Sequence, residues 1–320
     1  MVEIELKPAE VDGLSWALSF AARGEGGAWD WTHFDLVNAN ARAALEADAT
    51  LPAFARHVLT GADESPRIVL DDSAVAGVIP AYARTGDAEE YDLVCWRFAM
   101  TPNRLITGRR RATRTLVHLW ERVRDGLEPG SPAALINICI TEFAREVRER
   151  LADLGGELDA VEDALISDRD PGRLADLGGR LGQVRREATR LKRALTPLAR
   201  ALHAEDEDMP DWVQGHGHET ATRGLHDALD DIVALHDRAR SLHDELTTRL
   251  AEETNRRLYI VSIVTTVVMP ATFVTGFFGM NTGGLLWSGD AVRHGTLYAA
   301  ATCLLAILGT LGLLRWKRML

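Results

Sequence analysis

Apolar and polar positions alternate in short blocks over the first 130 residues, in long heptads over the next 127, and hardly at all over the last 63. In the first region, Ser15–Phe20, Arg67–Leu70, Leu93–Phe98 and Arg104–Thr107 are short runs rich in strand-forming residues. Gly, Pro and Asp punctuate them, and helix-like stretches at Ala39–Ala47 and Leu51–Leu59 lie between. Residues 1–130 are therefore expected to form a mixed α/β domain, with the strand order left open.

The period changes at Ser131-Pro132, which reads as a helix N-cap with proline in the first turn. Val147, Leu151, Leu154, Leu158, Val161 and Leu165 then recur at alternating steps of four and three. Asp170-Pro171-Gly172 interrupts the pattern. A second stripe follows from Leu174 through Leu181, Val184, Ala188, Leu191 and Leu195 to Leu202. Such seams predict long helices packed side by side. After a polar turn at Glu205–Pro210, a third helix is expected from Glu219, with Leu225, Leu229, Ile232, Ala239, Leu242 and Leu246 on its inner face. From Glu219 to Phe278 the chain has no Gly except Gly224 and Gly276, and no Pro except Pro270. One helix is expected to continue from residues 131–257 into the last region, as a mechanical connection.

Residues 258–320 carry the two longest apolar runs. Leu258–Gly289 has 32 residues without a formal charge, with an apolar heart of 21 at Leu258–Phe278; Gly295–Leu314 adds another 20. A bilayer core takes about 20 apolar residues in a helix, so both runs read as membrane spans, a two-helix hairpin at the end of the chain. Arg256 and Arg257 precede the first run, and Arg315, Lys317 and Arg318 follow the second. The positive-inside rule then puts both ends of the chain in the cytoplasm and the 279–294 loop outside a cell membrane. Met1–Glu10 carries acids where a secretory leader needs positive charge, so targeting is expected from these spans.

Charge separates the regions. The chain is −11 overall, with +3 in the last 63 residues and −14 before them. An acidic body is a poor match to nucleic acid, whose binding rests on neutralising phosphates. Cys95, Cys139 and Cys303 stand far apart, which excludes a disulfide scaffold and a CxxC zinc site. No glycine-rich phosphate loop or Ser/His/Asp arrangement appears, so an enzyme is not expected and no cofactor is implied.

Within the first span, Asn255, Leu258, Ser262, Thr265, Met269, Thr272, Gly276 and Gly279 fall on one seam, at steps of three and four. Small, polar and thioether groups there can line a path for ions, or can mediate helix–helix packing in lipid. Two spans cannot enclose a channel alone, so conduction would require an oligomer. The run ends in Gly279-Met280-Asn281. Asn255-Arg256-Arg257, then Met269-Pro270-Ala271-Thr272-Phe273, Gly276 and Gly279-Met280-Asn281 before a second span closely resemble the CorA family of divalent-cation transporters. Thr282-Gly283-Gly284 looks like the family's ZntB-type, zinc-transporting branch. The resemblance implies a homopentameric funnel: a cytoplasmic α/β domain, long helices, a stalk helix and the two spans. It implies that Asn281 forms a ring at the pore entrance, presented by Gly279 and Met280. It also places Thr272, Met269, Leu258 and Asn255 at pore-lining positions, and Thr265 shares their seam. The transported ion would be Zn²⁺, or Mg²⁺, Co²⁺ or Ni²⁺. The contrasting reading is a membrane-anchored scaffold or metal sensor that transports nothing.

Three other groups stand out. His216-Gly217-His218 can offer imidazoles to a transition metal, or be a solvated turn. Asp230, Asp237 and Asp244 recur every seven residues and can attract cations, or be a solvated face. Arg109-Arg110-Arg111 with Arg114 reads as an ion-paired helix start or as an anion patch.

Overall fold

In a computed structural model of the 320-residue chain, residues 14–20, 27–84, 91–167, 171–204, 210–213, 217–279 and 295–317 are described. They group into two compact units, one drawn from residues 1–168 and 176–243, the other from 169–175 and 244–320.

The first unit holds a six-stranded sheet formed by β1 (Leu14–Phe20), β2 (Trp29–Asp35), β3 (Arg67–Asp71), β4 (Ala74–Tyr82), β5 (Leu93–Thr101) and β6 (Arg104–Arg109). Its order is β1-β2-β6-β5-β4-β3. Only β2–β6 is parallel among the neighbouring pairs. Helices α1 (Ala39–Ala47) and α2 (Ala53–Thr60) cover one face, where Leu45, Leu51, Val58 and Leu59 close on Phe34, Val78, Ala99 and Ile106. On the other face lie α3 (Arg114–Arg124) and the start of α4 (Pro132–Ser167), through Trp16–Trp120 and Tyr82–Phe143 ring contacts. All four expected strands and both short helices are present; α2 starts two residues later than expected, because Pro52 sits at its N-cap.

Two strands escaped the sequence reading. Every residue of β4 is buried, so it has no solvent face to give an apolar–polar alternation. Its Gly77 and Pro80 also look like turn residues. Gly77 is required by space: a Cβ there would lie 2.6 Å from the Phe98 ring and 2.8 Å from the Arg67 carbonyl oxygen. In β2, His33 is wholly buried although it looks polar. Arg109 Nε donates to His33 Nε2 at 3.1 Å, which leaves Nδ1 to donate to Thr107 Oγ1 at 2.8 Å. Thr107 Oγ1 also accepts from Trp31 Nε1 at 2.9 Å. Burial, and then the Arg109 charge, hold this imidazole well below its ordinary pKa, so it stays neutral.

The long helices follow the heptads. The Ser131 hydroxyl accepts from the Ala134 amide at 3.1 Å and caps α4, as Ser-Pro implied. The Leu and Val seams of α4 and of α5 (Pro171–Ala204) are buried throughout. Arg150 of α4 makes a two-pronged ion pair with Glu187 of α5, at 2.7 and 2.8 Å. Helix α6 runs unbroken from His218 to Gly279, 62 residues through Pro270. The expected single helix is therefore present. Its residues Leu225, Ile232, Ala239, Leu242 and Leu246 are buried, and Arg238 pairs with Asp159 and Glu162 of α4. Helix α7 spans Gly295–Trp316.

The arginine run before α3 is ion-paired. Arg110 reaches Glu64 and the Gly61 carbonyl, and Arg111 reaches Asp92 at 2.6 Å.

Candidate functional site

From residue 258 on, α6 has no charged side chain, and its large apolar groups stand open: Leu258, Val261, Met269 and Phe273 are 62, 62, 67 and 74% exposed. That is the reverse of what water permits for such a surface, and it fits hydrocarbon. An 18-residue stretch of the helix reaches a mean hydropathy of 1.9, apolar and long enough to cross a membrane. The described part of α7 that is apolar by the same measure, Ala300–Trp316, is shorter.

The two faces of this α6 segment differ. Ile263, Val267, Pro270, Ala271 and Val274 are half-covered. On that face the Cys303 thiol of α7 lies 3.9 Å from the Ala271 carbonyl oxygen. The matching residues of α7 are Cys303, Ala306, Ile307, Thr310 and Leu314, while Leu304, Leu305, Leu308 and Leu313 point away and are exposed. Leu258, Ser262, Thr265, Met269, Thr272, Gly276 and Gly279 are all exposed. At 3.6 residues per turn this second stripe lies about 180° from the half-covered face. The polar seam is thus not the surface that meets α7 in the same chain.

Its chemistry is that of neutral oxygen. Thr265 Oγ1 donates to the Val261 carbonyl at 2.8 Å, and Thr272 Oγ1 to that of Val268 at 3.1 Å. Each hydroxyl spends its proton inside the helix, so its lone pairs face outward as acceptors. Neither Gly276 nor Gly279 has an atom within 4 Å of where a Cβ would stand, so the face is flat at that end. Asn255 is exposed one turn before Leu258, beside Arg256 and Arg257. The structure therefore brings Asn255, Leu258, Thr265, Met269, Thr272 and Gly279 onto one open face. Met280 and Asn281 lie outside the described residues.

Of the expected cytoplasmic ligands, the described ones stand apart along α6. His216 lies outside the described residues, and His218 is buried at the start of α6. Asp230 and Asp237 are exposed on the same helix, Asp237 beside His236 Nδ1 at 3.5 Å. Among the described residues no three His, Cys, Asp or Glu side chains converge as a metal site.

One cleft of about 460 Å³ in the first unit was not foreseen, since its walls come from segments distant in sequence. Tyr91, Asp92, Arg150, Glu157, Glu187 and Arg190 line it. The Tyr91 ring has the Arg150 guanidinium at 4.3 Å and that of Arg114 at 5.4 Å. Asp92 accepts from Arg190 at 2.7 Å and Arg111 at 2.6 Å, which holds its carboxyl below the usual carboxylate range. These charges neutralise one another and tie α5 to the start of β5, a structural clamp.

Comparison with known proteins agrees with the architecture. Residues 26–317 match the family described as "CorA-like Mg2+ transporter protein". The "Zinc transport protein ZntB" of Yersinia enterocolitica is 24% identical over 90% of this chain and 86% of its own. The "Divalent cation transporter CmaX" of Pseudomonas aeruginosa is 25% identical over 89% of this chain and 84% of its own. The solved structure of full-length CmaX superposes with a TM-score of 0.76 at 22% identity, covering 98% of this chain and all of that one.

Proposed function

Because the chain belongs to the CorA-like Mg²⁺ transporter family, a family of ion transporters and not of enzymes, we propose that it carries divalent cations, Zn²⁺ foremost, across a cell membrane as a homopentamer. The observation that carries this reading is the open seam of α6, which lies on the side away from α7. A hairpin that serves as an anchor needs one face for its partner helix and lipid-compatible groups elsewhere. It has no use for Ser262, Thr265 and Thr272 on a single outward line. Copies arranged around an axis would turn these lines inward and cover them.

In that arrangement α6 lines the path, and α7 faces lipid through Leu304, Leu305, Leu308 and Leu313. Gly279 and Met280 present Asn281 at the outer mouth. The seam holds no carboxylate, so nothing on it could repay stripping a divalent ion of its water. Asn281 carboxamide oxygens and threonine hydroxyl lone pairs would instead accept hydrogen bonds from the ion's hydration shell. A neutral path of this kind discriminates weakly among hydrated divalent ions. Preference for Zn²⁺ rests on the zinc-transporting names of relatives and on Thr282-Gly283-Gly284, with Mg²⁺, Co²⁺ and Ni²⁺ as the alternative cargo.

The test is cation flux into liposomes holding purified protein, with Zn²⁺ and Mg²⁺ compared. Wild type should pass Zn²⁺, and Asn281→Ala should lower the flux at least about tenfold: a net hydrogen bond is worth about 0.5–1.5 kcal/mol, and the change removes one per subunit. Asn40→Ala, in α1, should transport like wild type. No flux of any divalent ion through wild type would leave the anchored scaffold or sensor as the reading.

A further inference from the structure

Helix α5 is basic in an acidic protein. Between Pro171 and Ala204 it carries eight Arg or Lys residues against Asp176 and Glu187. Four of the eight, Arg185, Arg186, Arg190 and Arg193, flank a groove of about 540 Å³ with Gly182 and Thr189. In the first unit Arg104, Arg111, Arg122, Arg145, Arg150 and Arg238 pair with carboxylates, while the exposed Arg148 and Arg240 do not among the described residues. Arg186, Arg193 and Arg200 have no carboxylate within ion-pair distance among the described residues, and all three are exposed.

Their spacing is regular. Gly182, Arg186, Thr189, Arg193, Thr196 and Arg200 follow at steps of four and three, on the side of α5 opposite its buried leucines. This is a second heptad seam, with an arginine every seven residues and a small residue between. The outer face of α6 repeats the pattern with the opposite sign. Asp230, Ala234, Asp237 and Ser241 are exposed at the same steps, and Asp244 continues the series. Asp230 has no arginine or lysine at ion-pair distance among the described residues. Both seams face outward, so neither can satisfy the other within one chain.

We infer that the arginine seam of α5 docks onto the aspartate seam of α6 in a second copy of this chain, as an electrostatic zipper between subunits. Small residues let the helix backbones approach, and equal seven-residue repeats bring successive guanidinium and carboxylate groups into register, as flanking charges do in coiled coils. The contact joins different surfaces on the two copies, the kind that closes into a ring under rotational symmetry. The inference rests on the oligomeric reading above, and it assigns the acidic stripe to a partner subunit.

Oligomer mass, measured against protein concentration for the full chain in detergent, tests it. Arg186→Glu with Arg193→Glu should raise the concentration at which the assembly dissociates about tenfold or more at low salt, and so should Asp230→Lys with Asp237→Lys. All four changes together should restore wild-type assembly, because the charges are exchanged and not lost. Unchanged helix content and melting temperature show that each variant folds, since the sites are exposed. Wild-type dissociation in either double variant, or no recovery in the fourfold variant, overturns the zipper. So does an arginine variant that loses binding to vesicles of anionic lipid while assembling normally, which would give the seam to a membrane surface. Wild type that is monomeric at every concentration would overturn the oligomeric reading itself.

Discussion

The two halves of α6 obey opposite rules. Between His218 and His243, apolar residues point to one side and are buried, among them Ala221, Leu225, Ala228, Ile232 and Ala239. Aspartates and arginines occupy the other side. From Leu258 to Gly279, apolar residues surround the helix, and none of the stretch's residues whose burial is described is buried. One chain in water suffices to specify the first half, because its partner α4 belongs to the same chain. The second half finds among the described residues only the face near α7, and its remaining apolar surface stays uncovered. A single helix can thus be half solved by its own sequence neighbours and half dependent on its surroundings.

The contrast can be broken by matched leucine truncations. Leu195 lies on the α5 seam and has no exposed surface. Leu195→Ala should destabilise the first unit by about 2–5 kcal/mol, the range for cavities in packed cores. Chemical denaturation followed by tryptophan fluorescence measures it, and a cost below about 1 kcal/mol would mean that the seam is loosely packed.

A pH test sharpens the same side of the comparison. Glu146 of α4 accepts from Thr115 Oγ1 at 3.1 Å, and burial pushes its carboxyl up to about 7, with that hydrogen bond opposing the rise. The folded pKa is thus above the unfolded one. The stabilising contribution of the protonated form is complete below about pH 4 and is lost as pH rises through about 7. Glu146→Gln keeps the neutral form at every pH. Relative to wild type its melting temperature should gain between pH 5 and 8, by up to about 3 kcal/mol in stability terms. A difference between the two that does not vary with pH would place Glu146 in contact with water.

The smallest effect is expected at Leu305, 71% exposed on α7. Leu305→Ala should change stability in detergent by no more than about 0.5 kcal/mol, as at other uncovered positions. A loss comparable to that at Leu195 would show this face packed against protein, and would remove the distinction between the α7 outer face and a core.

Much of the fold was legible because it is periodic. The seams of α4 and α5, the Ser131 cap and the uninterrupted α6 all follow from spacing and from where Gly and Pro are absent. Strands β2 and β4 were not legible: periodicity needs a solvent face, and β4 has none, while the polar His33 of β2 is satisfied by Thr107 and Arg109, more than 70 positions away in sequence. The same limit applied to the clamp around Tyr91, assembled from the residues leading into β5 and from α3, α4 and α5. The spacing of the α5 arginines is written in the sequence, but that they are exposed and lack carboxylate partners among the described residues is seen only in the structure.

The sequence by itself determined which residues share a helix face, since a period of 3.6 fixes direction around an axis whatever lies nearby. That alone put Leu258, Thr265, Met269 and Thr272 on one line. It could not say whether that line packs against α7, because nothing local records the azimuth at which a second helix approaches. Tertiary structure decided it: Cys303 reaches Ala271, on the far side of α6, and leaves the polar line open.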